Sequence, residues 1–240
     1  MSGIVNLHNH TPFSDGAYTI DELCGAHLKL GEELAGIGIS DHLFATPSSR
    51  EVANEREYQR TFAAEKRAYV TEVRAARQRW AGRLHLFCGA EINWPLNKHM
   101  LGTLATMLDG IDYILFEYVD WAGLTTLANQ ARRFPCPVIL AHTDVAEQFP
   151  NTSPEQVVRT LANARIIYEL SSKYMPLDPQ SAWFKLLPQH RVRGSFGTDT
   201  HDDLRVLRDL KAMAAFVVQA GLSEKVFVPA WQQTPTAATA

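Results

Sequence analysis

Short apolar runs recur along the chain, and most of them end abruptly in polar residues. Ile4-Val5-Asn6-Leu7 leads into His8-Asn9-His10, residues 34–39 end in Ser40-Asp41-His42, and residues 84–90 close on Glu91. Four more follow: residues 112–119, residues 138–141 running into His142, residues 166–170 leading into Ser171-Ser172-Lys173, and residues 192–196 running into Gly197-Thr198-Asp199-Thr200-His201. Apolar runs of about four to eight residues with sharp ends read as buried strands. Helical signals lie between them. Thr19-Ile20-Asp21-Glu22 has the form of a capping box and opens a helix to about Leu30, with Gly31 at its end. Residues 50–80 are strongly helical, with Tyr69, Val73, Ala76 and Trp80 on one face. Further helices are predicted over residues 98–108, from Ser153-Pro154 to about Asn163, from Asp178-Pro179 onward, and over residues 204–220 with Leu207, Leu210 and Ala214 apolar.

Strand and helix thus alternate about seven times, which calls for a parallel sheet covered by helices. An open doubly wound sheet is the rival architecture, but no G-x-G-x-x-G follows the first strand. The polar residues gather after nearly every strand, as a closed barrel requires when its strand ends share one mouth. No long linker divides the chain, so residues 1–230 are read as one α/β domain and residues 231–240, rich in Thr, Ala, Pro and Gln, as a disordered tail.

Composition narrows the function classes. With 240 residues, 46% apolar and 20% charged, the chain suits a globular enzyme with a substantial core. A net charge of −3 disfavours extended contact with nucleic acid. Cys24, Cys88 and Cys136 form no C-x-x-C pair and cannot all be paired within one chain, and Cys88, inside an apolar run, reads as a reduced, buried thiol. No apolar segment reaches membrane-spanning length, and the N-terminus lacks a signal-peptide pattern, so a cytoplasmic protein is expected.

The chemistry lies in the polar residues just past the strands: His8, His10, Asp41, His42, Glu91, His142, Asp199 and His201. Each alone is an ordinary loop residue, but five of the nine histidines fall at the ends of four different strands. That convergence predicts a shared metal site of imidazole and carboxylate ligands. Such a set without thiolate suits Zn, Mn or Fe.

The series H-x-H, S-D-G, S-D-H, G-x-E, a strand-end His and G-T-D-x-H resembles the polymerase-and-histidinol-phosphatase (PHP) family, from His8 to His201 and in the family's order. The resemblance implies a distorted (β/α)7 TIM-like barrel with two or three divalent metal ions in a cleft. The implied activity is phosphate-ester hydrolysis. It also implies a first ion held by His8, His10, Glu91 and Asp199, and a third held by Asp15, His42 and His201. The second would share Glu91 and use His142. Many relatives place a histidine at the end of the fourth strand, where Phe116-Glu117-Tyr118-Val119-Asp120 stands here with Val119 aligned to it. Either Glu117 or Asp120 replaces it, or the second site is weak or empty.

Asp41 is expected to orient an imidazole. Lys173 and Arg205, and less so His99, Arg50 and Lys98, are candidates to meet a substrate phosphate. Trp94 and Trp121 could wall the pocket or cover the barrel top. Glu169, inside the sixth run, faces either the barrel interior or a helix and receives no ligand role. His27, His85 and His190 are read as non-functional.

The leading expectation is a phosphomonoesterase acting on a small molecule such as histidinol phosphate or a nucleotide. The alternatives are a nuclease acting on nucleic-acid ends, a non-catalytic metal-stabilised binding module, and an amidohydrolase. The last would present a lysine on a central strand where this chain has Glu91.

Overall fold

The computed structural model describes residues 3–31, 34–43 and 55–229. Seven parallel strands close into a barrel in sequence order: β1 (Ile4–Asn6), β2 (Leu34–Ile39), β3 (His85–Asn93), β4 (Tyr113–Glu117), β5 (Val138–Leu140), β6 (Ile167–Ser171) and β7 (Gly194–Gly197). The barrel shuts where Asn6 of β1 pairs with Phe196 of β7. The expected α/β barrel of one domain is the observed fold. The notion of a disordered tail at residues 231–240 and the candidate Arg50 lie outside the described residues.

Two cores result. Val5, Leu7, Phe87, Tyr113, Leu115, Ile139 and Ile167 fill the barrel interior, while the strand residues between them pack outward against the helices. Tyr113 spans the interior and donates from Oη to the Leu7 carbonyl at 2.6 Å. It fits because β2 passes it with glycine: a Cβ on Gly38 would lie 1.9 Å from that oxygen.

Local signals account for most of the helices. α1 (Ile20–Leu28) begins at the Thr19 and Glu22 capping box. α2 (Glu55–Arg79) buries Phe62, Tyr69, Val73 and Ala76 on one face. The stretch after β3 is not one helix but two short ones, α3 (Trp94–Asn97) and α4 (Leu101–Ala105), separated by a turn. A helix that the pattern did not signal, α5 (Trp121–Gln130), joins β4 to β5.

After β5 come α6 (Val145–Gln148) and α7 (Pro154–Ala164), the latter capped by Ser153. Asp178-Pro179 forms a turn instead of a helix start. α8 (Ala182–Leu186) begins three residues later under a Ser181 cap. The final helix starts with a 3-10 segment, Leu204–Arg208, before α9 (Asp209–Gln219). Trp94 is buried edge-on against Phe116, and Trp121 packs on Phe149, so their rings belong to the outer packing.

Candidate metal centre

Strand alternation delivers the site. In β3 the interior row runs Phe87, Gly89, Glu91; in β4 it runs Tyr113, Leu115, Glu117; in β6 it runs Ile167, Glu169; in β7 it runs Ser195, Gly197 and then Asp199. Each row is apolar or small at depth and becomes acidic at the C-terminal mouth. β1 departs from this rhythm. Val5 and Leu7 fill the interior, yet His8 and His10, of opposite parity, also face the mouth, because the strand ends at Asn6.

Three groups of ligand atoms assemble there. In the first, His8 Nε2 lies 3.1 Å from Glu91 Oε2 and 3.3 Å from Asp199 Oδ1, and His10 Nε2 lies 3.3 and 3.2 Å from the same atoms. The second gathers around Asp15, whose carboxylate is 3.3 Å from His201 Nε2 and 3.7 Å from both His10 Nδ1 and His42 Nε2. In the third, His42 Nδ1 stands 3.2 Å from Glu91 Oε2 and 3.7 Å from Glu117 Oε1. His142 Nε2 joins it, 3.2 Å from Glu91 Oε1 and 3.8 Å from Glu117 Oε2. Glu91 stands between the first and third groups.

These residues fit metal ions. His8 Nε2, both ring nitrogens of His10, His42 Nδ1, both Glu91 oxygens and Asp199 Oδ1 are buried without a hydrogen-bond partner. Buried polar atoms are rarely left so, and seven aimed at one another are the donor set that a shared cation satisfies. Donor atoms about 2.1 Å from one ion stand about 3.0 to 3.4 Å apart. The 3.1 to 3.3 Å separations of the first group lie in that range.

The electrostatics agree. Burial opposes charge on His8, but Glu91, Glu169 and Asp199 hold its pKa well above the usual histidine value. Burial likewise opposes His10, and the facing Asp199 and Glu91 carboxylates still raise it to about 9. Burial and the neighbouring Glu91 charge push Glu117 up to about 7. Crowded carboxylates here call for positive charge, from protons or from cations.

Glu169 is the residue the sequence reading passed over. Its side chain is fully buried; Oε1 lies 2.7 Å from His8 Nδ1, and Oε2 accepts the His142 backbone N–H at 2.6 Å. A carboxylate on the outer nitrogen of a ligating imidazole fixes its tautomer. Gly197 makes room for it, since a Cβ there would lie 2.0 Å from Glu169 Oε1. An acid at an interior-parity position of an otherwise apolar strand was the available signal.

Asp41 does something other than orient an imidazole. It accepts from the Thr11 N–H (2.7 Å), Ser14 Oγ (2.6 Å) and Thr11 Oγ1 (2.7 Å), which pins the loop carrying Asp15. Asp120 is the N-cap of α5, accepting from the Gly123 N–H at 2.6 Å, and is no replacement ligand. Val119 is buried in the outer core: Tyr118 adopts a left-handed φ of 54° after the strand, turning the chain away from the mouth. Glu117 brings a carboxylate to the cluster instead.

Arg205 is 82% exposed and bound to Asp203, so its guanidinium is tied up outside the cluster. Lys173, Lys98 and His99 are exposed, His99 in the turn between α3 and α4. His27 is buried in a structural network: Nδ1 donates to the Leu23 carbonyl (2.7 Å), and Nε2 accepts from Asn6 Nδ2 (2.9 Å).

Comparison with solved structures gives the fold its relatives. A histidinol phosphate phosphatase from Lactococcus lactis, solved with zinc, L-histidinol and phosphate, superposes with a TM-score of 0.65 at 13% identity, covering 91% of this chain and 94% of that one. The chain shares that phosphatase's fold. A candidate histidinol phosphatase from Listeria monocytogenes superposes with a TM-score of 0.56 at 14% identity, covering 84% of this chain and 96% of that one. No family model matches the sequence, and no curated protein matches it in sequence. Among the described residues, no helix is long and apolar enough to cross a membrane.

Proposed function

We propose that this protein is a metal-dependent phosphoesterase that hydrolyses the phosphate monoester of a small molecule. The observation that carries this reading is the set of seven buried nitrogen and oxygen atoms facing one another without hydrogen-bond partners at the barrel's mouth. The fold shared with a phosphatase that binds zinc, L-histidinol and phosphate supports it.

His8, His10, Glu91 and Asp199 would hold one ion, Asp15, His42 and His201 another, and Glu117 with His142 a third beside the shared Glu91. Two or three divalent ions so placed would lower the pKa of a bound water and neutralise charge on a transferring phosphoryl group. Glu169 holds the His8 ring in orientation. Asp41 clamps the loop that presents Asp15. Tyr118, 54% exposed with its ring edge-on 6.0 Å from His142, offers an apolar wall for the leaving group. Arg205 is engaged with Asp203, so the counter-charge for the phosphate comes from the centre and not from that guanidinium.

The test combines elemental analysis of the purified protein with a substrate panel of p-nitrophenyl phosphate, histidinol phosphate, nucleoside monophosphates and short oligonucleotides. Bound divalent metal with turnover of a small monoester, both lost in His8→Ala, is the expected result. Tight metal binding with no ester hydrolysis on the panel would refute it in favour of a binding module. Turnover confined to oligonucleotide ends would refute it in favour of a nuclease.

A further inference from the structure

The opposite end of the barrel carries a concentration of arginine that the metal centre does not use. Arg132 precedes β5, Arg165 precedes β6, and Arg191 and Arg193 precede β7, so all four lie at the N-terminal ends of adjacent strands. Arg132, Arg165 and Arg193 line a cavity of about 350 Å³ together with Cys136 and Pro137. Arg165, Arg191 and Arg193 line a neighbouring one of about 200 Å³. The two cavities therefore share the Arg165 and Arg193 walls.

None of the four forms an ion pair with a carboxylate among the described residues. Arg132 donates to the Asn163 carbonyl at 3.3 Å, and the Arg193 guanidinium lies 4.8 Å from the Phe227 ring centre. Asp112, whose charge reaches Cys136, is already paired with Arg77. The C-terminus of α7 accounts for one cation through its dipole, but not for four. In a chain of net charge −3, the grouping is a strong local asymmetry. Burial and the Arg165 charge lower the Arg193 pKa, the mutual strain that a bound anion relieves. Arg165 and Arg191 both have a φ of 60°, a backbone that glycine or asparagine adopts more easily, yet both positions keep a long cation.

We propose that this end of the barrel is a binding site for a small molecule carrying two or more phosphate groups, one phosphate in each cavity and the shared guanidinium groups between them. Arginine suits this role because its planar fork donates in pairs to phosphate oxygens. The larger cavity falls within the small-molecule range of about 300 to 1,000 Å³. The concave, divided shape favours a compact ligand over an extended nucleic-acid backbone. Barrel chemistry belongs to the other face, so the site is separate from catalysis.

The probe is methylenediphosphonate, whose P–C–P bridge resists hydrolysis, titrated by calorimetry into the full-length, metal-loaded protein in buffer holding orthophosphate at a level that occupies the metal centre. Metal content is measured before and after. Wild type should bind the probe, and the double variant Arg165→Gly, Arg191→Gly should bind at least about tenfold more weakly with metal content and thermal midpoint retained. Glycine is chosen because it relieves both left-handed positions, so the fold survives the change. Arg133→Ala, exposed and outside both cavities, should bind as wild type does. Absence of binding to wild type, equal binding by the double variant, or equal weakening in Arg133→Ala would overturn the proposal. So would a short oligonucleotide that binds this end and is not displaced by the probe.

Discussion

Glu169→Gln isolates what the buried carboxylate does for the centre. In the native arrangement its two oxygens serve two donors, His8 Nδ1 at 2.7 Å and the His142 backbone N–H at 2.6 Å. His8 Nε2 faces Glu91 and Asp199, so an ion held there requires the proton on Nδ1. Glutamine has the same shape but offers one acceptor and one NH2 group. With its oxygen toward His142, the amide points its own donor at His8 and favours the tautomer with the proton on Nε2, where the ligand lone pair is needed. Flipped, it leaves the His142 N–H facing another donor.

With the ion bound and the proton on Nδ1, either orientation leaves one buried donor unsatisfied, at a cost of about 1 to 3 kcal/mol. That corresponds to about 5- to 150-fold in metal affinity, and outer carboxylates on ligating histidines typically contribute about 10- to 100-fold. Zinc titration against a chromophoric chelator reads this directly, with circular dichroism confirming that the fold persists. Wild-type zinc affinity in Glu169→Gln would refute the orienting role.

Three further outcomes follow from the same geometry. Glu117→Ala removes the carboxylate beside His42 and His142 and should lower bound metal by one ion per chain while the ion beside Asp199 stays; unchanged stoichiometry by elemental analysis would rule Glu117 out as a ligand. Burial, partly offset by the Leu23 carbonyl, lowers His27 from 6.5 to about 4, so the folded metal-free protein keeps it neutral where the unfolded chain is protonated. Its contribution is complete above pH 6.5 and falls away toward pH 4, with a slope of up to about 1.4 kcal/mol per pH unit. Chemical unfolding across that window should show this component missing in His27→Gln, and an identical profile would contradict it. Arg205→Ala, which removes only an exposed pair with Asp203, should leave kcat/KM for a small monoester within about twofold; a larger loss would place the guanidinium at the substrate.

The sharp ends of the apolar runs made much of this site legible in the sequence. Parallel strands of a barrel share one mouth, so the residue type at each run's end reports what the mouth receives, whatever its parity. His8, His10, His42, Glu91, His142, Asp199 and His201 could be collected in that way, and the structure brings them together. Glu117 is legible in the sequence as a replacement ligand, and interior parity within β6 marks Glu169 as well, a charged position of an apolar run close to the mouth.

Asp120 stands apart from the cluster for a different reason. Strand alternation stops at the first left-handed residue, and the φ of Tyr118 is set by how the chain enters α5, not by its own residue type. Asp41 shows the same limit: two acceptor oxygens are taken by whichever donors the fold brings nearest, and those were Thr11 and Ser14, not an imidazole. The sequence by itself determined the alternation of strand and helix, the placement of the ligands at the ends of apolar runs and the kind of ion they suit, because these depend on neighbours along the chain. Only the tertiary structure decided which carboxylate completes the cluster and which one orients His8, because these are distances between residues far apart in sequence. Closure of β1 on β7 sets those distances, bringing His8 beside Asp199 from opposite ends of the chain.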